Sequence, residues 1–392
     1  MGITLLDVIL VLVLIGFLAV GLRKGLWITV GGAAGFLVGA VAAFFAMPLV
    51  AEWVSDPVWR VVAVLAAAIV LVVAGHALGT TAGAEIQRLF RSPTLHTLGS
   101  LVGGLANLVV AVFVIAALSF SVSAMGFPTV NQHMKQSAVL QGINSLVPER
   151  TEAWFAQLRT AVMESDIPEL AQPLVPESAE LPDDVDLTEA AEHTAGAVGR
   201  ISGVAEHCGQ SQTGTGFAIT PTRVVTNAHV IAGVSEPSVE MANGEVVTGR
   251  TVYFNPANDL AVLAVDPLDV PEVEIGEPAD SGASGFVMGY PAGGPFVAGP
   301  AIVQARDVSQ VNDIYGGSPS EVEIYQLNAD VRQGNSGGPL VDEEGRLLGV
   351  IFARAVEGSA VGFALTAEEA GEVLTNPEGF TETVSTGRCV DR

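Results

Sequence analysis

Hydrophobic and polar positions divide the chain into two regions that predict different kinds of structure. The first region holds long apolar runs at about residues 3–22, 26–50, 61–80 and 98–124. Each run reaches the roughly 20 apolar residues that a bilayer-spanning helix needs. From about Val204 onward, apolar residues instead form short β-branched runs closed by turn residues, such as GFAIT, LAVLAV and AVGFAL. This pattern predicts many short strands arranged as a β-barrel or a β-sandwich.

The segment between these regions is polar, acidic and rich in proline. Its first half carries Trp154, Leu158 and Val162 at helical spacing, which predicts short helices. The later stretch PLVPESAELPDDVDL has little to bury and is predicted to be extended and accessible. The sequence therefore predicts a four-span membrane region over residues 1–127, a linker over 128–199 and an all-β domain over 200–392.

Composition supports a membrane protein and excludes one class of partner. The mean hydropathy is +0.48 even though 42 acidic residues outnumber 17 basic ones. A formal net charge of −25 argues against binding to nucleic acid, because phosphate contacts require clustered lysine and arginine. The lipid bilayer is the partner that the apolar runs predict.

Basic residues beside the apolar runs predict the orientation of the membrane region. Arg23 and Lys24 follow the first run directly, and Arg88 and Arg91 lie in the third connection. Positive loops favour the cytoplasm, so both termini and the all-β domain are predicted on the outer face of the membrane. The first run lacks a preceding basic residue and is therefore not expected to be a cleaved signal peptide.

Small residues recur within the apolar runs at a spacing that allows close helix packing. Gly31, Gly35 and Gly39 repeat at every fourth position, as do Gly99 and Gly103. Such spacing lets two helix backbones approach each other closely. A compact four-helix anchor is favoured over a conducting pathway.

Asp7 and His76 are ionisable residues within the apolar runs, which makes them functional candidates. Both also lie near the ends of their runs, where they can reach interfacial water.

The opening stretch LLDVILVLVLIGFLAVGLRKGL resembles the colicin V production family of membrane proteins. That resemblance implies an integral membrane scaffold without a defined reaction.

The stretch RQGNSGGPL places Ser336 in a glycine-rich turn, which indicates catalysis only if a base and an acid accompany it. His229 is the candidate base because it follows an apolar strand in VVTNAHVI. The other histidines belong to the membrane region, to the linker or to the polar stretch that precedes the first predicted strand: His76, His96, His133, His193 and His207.

Asp259 is the candidate acid, since the polar turn in NPANDLAVLAV places it directly before an apolar strand. Other aspartates are explained as solvated turn residues: Asp266, Asp269 and Asp280. In this hypothesis Ser336 attacks a carbonyl, His229 carries the proton to the leaving amine, and Asp259 orients the imidazole. The main-chain N–H groups of Gly334 and Ser336 would stabilise the oxyanion. This chemistry requires no cofactor and no metal.

The motifs TNAHV, NDLAVL and GNSGGPL resemble the three catalytic motifs of trypsin-like serine proteases. That resemblance implies a chymotrypsin-like pair of packed six-stranded β-barrels with the site between them. Together with the four apolar runs, the chain resembles the membrane-anchored periplasmic acid-resistance proteases of mycobacteria and their actinobacterial relatives. The likeness implies a protease that faces the cell wall, cleaves itself and envelope proteins, and supports survival of acid or oxidative stress.

Two residues near Ser336 bear on activation and specificity. Asn335 stands where digestive members of the family have the aspartate that captures a new N-terminus, so activation by that ion pair is not expected. Asp330 falls near the position of the trypsin specificity aspartate, and the resemblance implies a role in selecting arginine or lysine only if the alignment holds to the residue.

The competing hypothesis is a membrane scaffold or solute channel whose outer domain is a catalytically silent sensor. The complete set of His229, Asp259 and Ser336 argues against it.

Cys208 and Cys389 are the only cysteines, and they bracket the all-β domain. The predicted orientation places both on the outer face, where oxidation is permitted. A disulfide between Cys208 and Cys389 is therefore predicted.

Overall fold

The structure is a computed structural model that describes residues 4–53, 57–89, 93–123, 128–146, 168–170, 181, 186–205, 207–208, 210–317, 319–355 and 360–390. The chain divides into a helical unit (Met1–Leu118 and Ser137–Val147) and a β-rich unit (Ser119–Gln136 and Pro148–Arg392). The helices predicted around Trp154, Leu158 and Val162 lie outside the described residues, as does most of the acidic stretch that follows them.

Four long helices make up the membrane region: α1 (Leu5–Lys24), α2 (Leu26–Trp53), α3 (Pro57–Leu89) and α4 (Pro93–Ser123). Each contains a segment long and apolar enough to cross a bilayer, which confirms the four predicted spans. The helix α3 extends beyond the predicted run at both ends, because an apolar pattern marks only the part of a helix that crosses hydrocarbon.

Asp7 and His76 both have structural partners. The buried carboxylate of Asp7 accepts hydrogen bonds from Ser137 Oγ (2.6 Å) and from the main-chain N–H of Val139 (3.0 Å). It thereby ties α1 to the start of the short helix α6 (Ala138–Leu146). In α3, Nδ1 of His76 lies 3.1 Å from the carbonyl oxygen of Gly32 in α2.

Glycines bring α2 and α3 into backbone contact. A Cβ atom added to Gly31 or Gly35 would overlap carbonyl oxygens of α3. The predicted close packing is confirmed for these two positions and for Gly39 and Gly103. It is not confirmed for Gly99, where no described atom lies within 4 Å of an added Cβ.

The remaining elements are short. The strands are β1 (Glu169–Leu170), β2 (Val198–Ala205), β3 (Gln210–Thr220), β4 (Arg223–Thr226), β5 (Ser238–Met241), β6 (Val246–Thr248), β7 (Arg250–Asn255), β8 (Leu260–Ala264), β9 (Ser284–Gly289), β10 (Val297–Asn312), β11 (Pro319–Ala329), β12 (Pro339–Asp342), β13 (Leu347–Ala355) and β14 (Val361–Thr366). The other helices are α5 (Pro128–Gln136), α7 (Glu189–Ala195), α8 (Ala228–Ile231) and α9 (Gly371–Thr375), with 3-10 turns at Pro291–Gly293 and Pro377–Gly379.

The strands form two barrel-like sheets, as the trypsin-like resemblance implies, but each sheet has seven strands where the resemblance implies six. The first sheet has the order β6-β5-β2-β3-β4-β8-β7, and only Gly249 separates β6 from β7, so the two ends of this order are joined in the chain. The second sheet has the order β1-β13-β12-β9-β10-β11-β14 and closes through pairing of β13 with β14. The strand β1 is added outside that closed ring. A shared core that includes Phe217 and Phe363 packs the two sheets together.

The first strand of the barrels begins earlier than the sequence pattern predicts. The strand β2 starts at Val198, ahead of Val204, because glycines and the buried Arg200 interrupt the apolar alternation. His207 therefore lies in the turn between β2 and β3 and not before the first strand, which corrects the prediction.

Candidate active site

His229 and Asp259 are brought together by the pairing of β4 with β8. His229 lies in α8, directly after β4, and Asp259 immediately precedes β8. The antiparallel register sets Thr226 opposite Ala261, so the end of β4 and the start of β8 are neighbours. The sheet therefore places the imidazole and the carboxylate side by side although they are distant in sequence.

The contact between the two side chains has the geometry of a base and the acid that orients it. Asp259 Oδ2 lies 2.6 Å from Nδ1 of His229, and Oδ1 accepts the main-chain N–H of His229 at 2.9 Å. The amide of Asn227 donates to the Asp259 carbonyl at 2.8 Å. These bonds hold Asp259 in a left-handed conformation (φ 54°) that non-glycine residues seldom adopt. A carboxylate at Nδ1 leaves Nε2 as the nitrogen that can accept a proton.

Ser336 lies in a tight turn whose glycines are required by the space around it. Gly334 and Gly337 have φ values of 94° and 82°. A Cβ atom on Gly337 would overlap the carbonyl of Thr215 in β3. The turn is tied to both barrels, because Thr215 N–H donates to the Ser336 carbonyl and Gly337 N–H donates to the Ile351 carbonyl, each at 2.8 Å.

The hydroxyl of Ser336 is buried and has no hydrogen-bond partner among the described residues. The structure therefore places Ser336 at the junction of the barrels without forming a bond from its Oγ to His229. Val230, the residue after His229, and Ser336 both lie close to Gly214 of β3, where an added Cβ would be 2.6 Å from Val230 Cγ2 and 3.1 Å from the Ser336 carbonyl oxygen. Catalytic hydrogen bonds are often long or unformed in ligand-free enzymes and tighten when substrate binds.

The peptide group before Gly334 has a fixed orientation. The carbonyl of Gln333 accepts a 2.6 Å hydrogen bond from Ala292 N–H, in the 3-10 turn that follows β9. In a planar trans peptide the C=O and the next N–H point in opposite directions, so the Gly334 N–H points away from Ala292. On the other side, Thr215 Oγ1 donates to the Gly334 carbonyl at 2.6 Å. The roles of Ala292 and Thr215 have no signal in the sequence motifs.

Asp330 and Asn335 differ in burial. The carboxylate of Asp330 is 61% exposed and forms a 2.5 Å ion pair with Arg332. No hydrogen bond or ion pair between Asp330 and Ser336 is present among the described residues, so a role of Asp330 in specificity stays a prediction. Asn335 is buried, and its N–H donates to the Arg332 carbonyl at 3.0 Å.

Cys208 and Cys389 form the predicted disulfide, with Cα atoms 6.6 Å apart. The bond fastens the C-terminal tail to the turn between β2 and β3. The main-chain N–H of Gly233, close to the end of α8, also donates a 3.0 Å hydrogen bond to the Thr386 carbonyl in this tail. Among the described residues, no group of three or more His, Cys, Asp or Glu side chains is placed to bind a metal ion.

Comparison with known proteins identifies both regions of the chain. The trypsin-like peptidase domain family matches residues 214–350, and the Colicin V production protein family matches residues 6–148. The serine protease Rv3671c of Mycobacterium tuberculosis is 33% identical over 364 residues, which cover 91% of each chain. The putative serine protease HhoB of Synechocystis is 32% identical over 42% of this chain and 40% of its own length.

A crystal structure of the active form of the Rv3671c protease superimposes on this chain with a TM-score of 0.53 and 38% identity. It covers 57% of this chain and 98% of the crystallised one.

Proposed function

The chain belongs to the family of serine proteases represented by Rv3671c, and on that premise we propose that its β-rich domain cleaves peptide bonds with Ser336, His229 and Asp259 as its catalytic triad. The observation that carries this assignment is the double contact of Asp259 with His229, which fixes the orientation of the imidazole. Asn227, two residues before His229, lies next to Gly337 in the turn that holds Ser336, which supports the grouping of the three residues.

The proposed reaction is an acyl transfer in two halves. Ser336 Oγ attacks the peptide carbonyl carbon, and its proton passes to Nε2 of His229. The C–N bond then breaks, the amine leaves with that proton, and an acyl ester remains on Ser336. Water attacks the ester with His229 again as the base, which releases the acid and restores the serine.

The oxyanion of each half-reaction requires donors already in place. The N–H groups of Gly334 and Ser336 are the proposed donors, because the Gln333 and Gly334 carbonyls on either side of the Gly334 nitrogen are both held by hydrogen bonds. Donors fixed before reaction cost no reorganisation when charge develops, and removing one typically slows kcat by about 10²–10³-fold.

Activity of the full-length protein in detergent against fluorescein-labelled casein tests this function. Ser336→Ala is expected to lower turnover by at least about 10³-fold, whereas the matched control Ser309→Ala, on β10, is expected to retain it. Retained turnover in the Ser336→Ala protein would refute the assignment.

We further propose that the protease domain faces the outside of the cell and acts on envelope proteins. The basic residues Arg23 and Lys24 end α1, and Arg88 lies near the end of α3, which supports cytoplasmic placement of both connections. The Cys208–Cys389 disulfide supports an oxidising compartment for the domain. Labelling of V308C in intact spheroplasts by a membrane-impermeant maleimide tests this side, since Val308 is exposed on β10.

The linker is the proposed site of self-cleavage, and release of the domain is the proposed link to acid and oxidative stress. Linker residues 169–170 form β1, which pairs with Arg354 and Ala355 of β13. In the same strand Ile351 bonds with Gly337 and Gly338, next to Ser336. This arrangement supports the proposal because linker backbone already reaches the strand beside the nucleophile.

A further inference from the structure

A buried ion pair of the β-rich unit contacts the 3-10 turn Pro291–Gly293, which is itself bonded to the candidate oxyanion turn, defined here as residues 333–335. Arg200 on β2 is only 8% exposed, and the sheet register sets it directly opposite Glu240 on β5. One terminal nitrogen of Arg200 forms an ion pair with Glu240 Oε2. The other oxygen of Glu240 lies 2.5 Å from Lys135 Nζ in α5. A charge buried in this way requires partners for each of its polar groups.

The second terminal nitrogen of Arg200 reaches the 3-10 turn that follows β9. Its Nη1 donates a buried 2.8 Å hydrogen bond to the carbonyl of Gly293. Gly293 closes that turn through its own N–H, which donates to the Tyr290 carbonyl at 2.9 Å. Glu240 fixes the guanidinium, and the guanidinium in turn fixes the carbonyl of Gly293.

The same 3-10 turn fixes the oxyanion turn. Ala292, next to Gly293, donates its N–H to the Gln333 carbonyl and has a left-handed conformation (φ 56°) that alanine does not favour. Such a conformation persists only where surrounding contacts hold it. The contact of Arg200 with Gly293 supplies one of them. If the turn relaxed, the Gln333 carbonyl would lose its donor, and the Gly334 N–H would lose its fixed direction.

We propose that Arg200 is a positioning residue of the proposed reaction, which holds the Gly334 N–H toward the oxyanion through Gly293 and Ala292. The proposal rests on the proposed serine-protease function. It assigns to Arg200 an effect on the rate of the chemical step and not on the binding of substrate, because the buried Arg200 side chain bonds to Gly293 and Glu240 and, among the described residues, to neither Ser336 nor His229.

Arg200→Lys is the decisive variant, because lysine keeps the positive charge for Glu240 but has a single ammonium that cannot also form the fork to Gly293. Full-length protein in detergent is assayed with fluorescein-labelled casein, and activity is normalised to the folded fraction. All four tyrosines lie in the β-rich unit and all four tryptophans lie before residue 155, so near-UV circular dichroism of tyrosine reports the fold of that unit. Arg200→Met, which keeps the apolar stem, is the second variant.

Arg223→Lys is the matched control. Arg223 is equally buried, pairs with Glu378 at 3.0 Å and donates from Nε to the Pro377 carbonyl at 3.1 Å, but none of these partners belongs to the oxyanion turn. This control distinguishes the effect on kcat of replacing any buried arginine from the effect of replacing Arg200.

We expect kcat to fall by at least about tenfold in both Arg200 variants, which is less than the effect of removing an oxyanion donor itself. KM should stay within about twofold of the wild-type value. The kcat and KM of Arg223→Lys should be unchanged. Full kcat in Arg200→Lys, or an equal loss in Arg223→Lys, would overturn the inference and leave the protease function standing. An inactive wild-type protein would overturn both.

Discussion

Asp259 contacts His229 at two points, the main-chain N–H and the ring nitrogen Nδ1, at 2.9 and 2.6 Å. The first contact fixes the backbone of α8 relative to the carboxylate, and the second fixes the ring. Together they decide which ring nitrogen carries the proton, because a carboxylate accepts hydrogen bonds and cannot donate them.

Asp259→Asn is expected to keep the fold and lose most of the activity. If the asparagine oxygen continues to accept the His229 N–H, its NH₂ group faces Nδ1 and forces the proton onto Nε2, the wrong tautomer for a base. We expect kcat/KM to fall by about three to four powers of ten, with an unchanged tyrosine circular dichroism spectrum. Asp266→Asn, at an exposed turn, is the control, and equal losses in the two variants would contradict the assignment of the acid.

Self-cleavage is expected in the linker, between about residues 130 and 205. The linker and the protease belong to one chain, so the effective concentration of the linker at the site is high. Wild-type protein should release a soluble domain, and N-terminal sequencing should place the cut in this window. Ser336→Ala protein should stay full length. Fragments of the same size from both proteins would assign the cut to another protease.

The disulfide is expected to stabilise the β-rich unit. It closes a loop with a sequence separation of 181, and such bonds typically contribute about 2–5 kcal/mol to the free energy of unfolding. Cys208→Ser with Cys389→Ser should therefore lower the urea midpoint of the tyrosine signal. Hydrogen exchange at Gly233, which bonds the tail beside Cys389, should become faster. An unchanged midpoint would show that the tail is held without the bond.

The carboxyl group of Glu240 is expected to make the stability of the β-rich unit depend on pH in the acid range. Burial alone would raise the pKa of its carboxyl, but the charges of Arg200 and Lys135 outweigh burial, and the pKa lies below the ordinary 4.5. A lowered pKa contributes stability that is present above about pH 4.5 and is lost as the pH falls through the folded value. Desolvation alone would raise the pKa of the exposed Glu378, but hydrogen bonds from Thr220 and Thr222 and the charge of Arg223 outweigh it, and this pKa is lowered as well. Solvent screens this group, however, and Glu240 is the one expected to affect stability.

The free energy of unfolding is therefore expected to change little through Glu240 between pH 7 and 5 and to fall below about pH 4.5. Urea titrations followed by tyrosine circular dichroism measure this dependence. Glu240→Gln should be less stable at pH 7 and should show a shallower acid slope. Parallel curves for the variant and wild type would mean that Glu240 is not the group responsible.

The membrane helices and the triad motifs could be predicted from sequence because each depends on local signals. A run of apolar residues defines α1 without reference to the rest of the chain, and the residues around His229, Asp259 and Ser336 are distinctive in themselves. The first and last residues of α3 could not be predicted from the apolar run, since both ends of the helix extend beyond it.

The positioning role of Arg200 could not be predicted from the sequence, because its hydrogen-bond partners are far away along the chain. Glu240 lies on β5 and Gly293 in the 3-10 turn after β9, and only the folded protein brings both of them to Arg200. An arginine interrupts the apolar pattern that indicates a strand, so the pattern does not mark the start of β2 at Val198. The bond from Ala292 to Gln333 joins main-chain atoms, which carry no side-chain signal.

A fluorophosphonate probe reacts with activated serine nucleophiles and therefore shows whether Ser336 is one. Full-length protein in detergent is treated with the probe, digested and analysed by mass spectrometry. We expect a single phosphonylated serine, Ser336, with labelling abolished in Ser336→Ala and strongly slowed in Asp259→Asn. No labelling of folded wild-type protein, or labelling that persists in the Ser336→Ala variant, would contradict it.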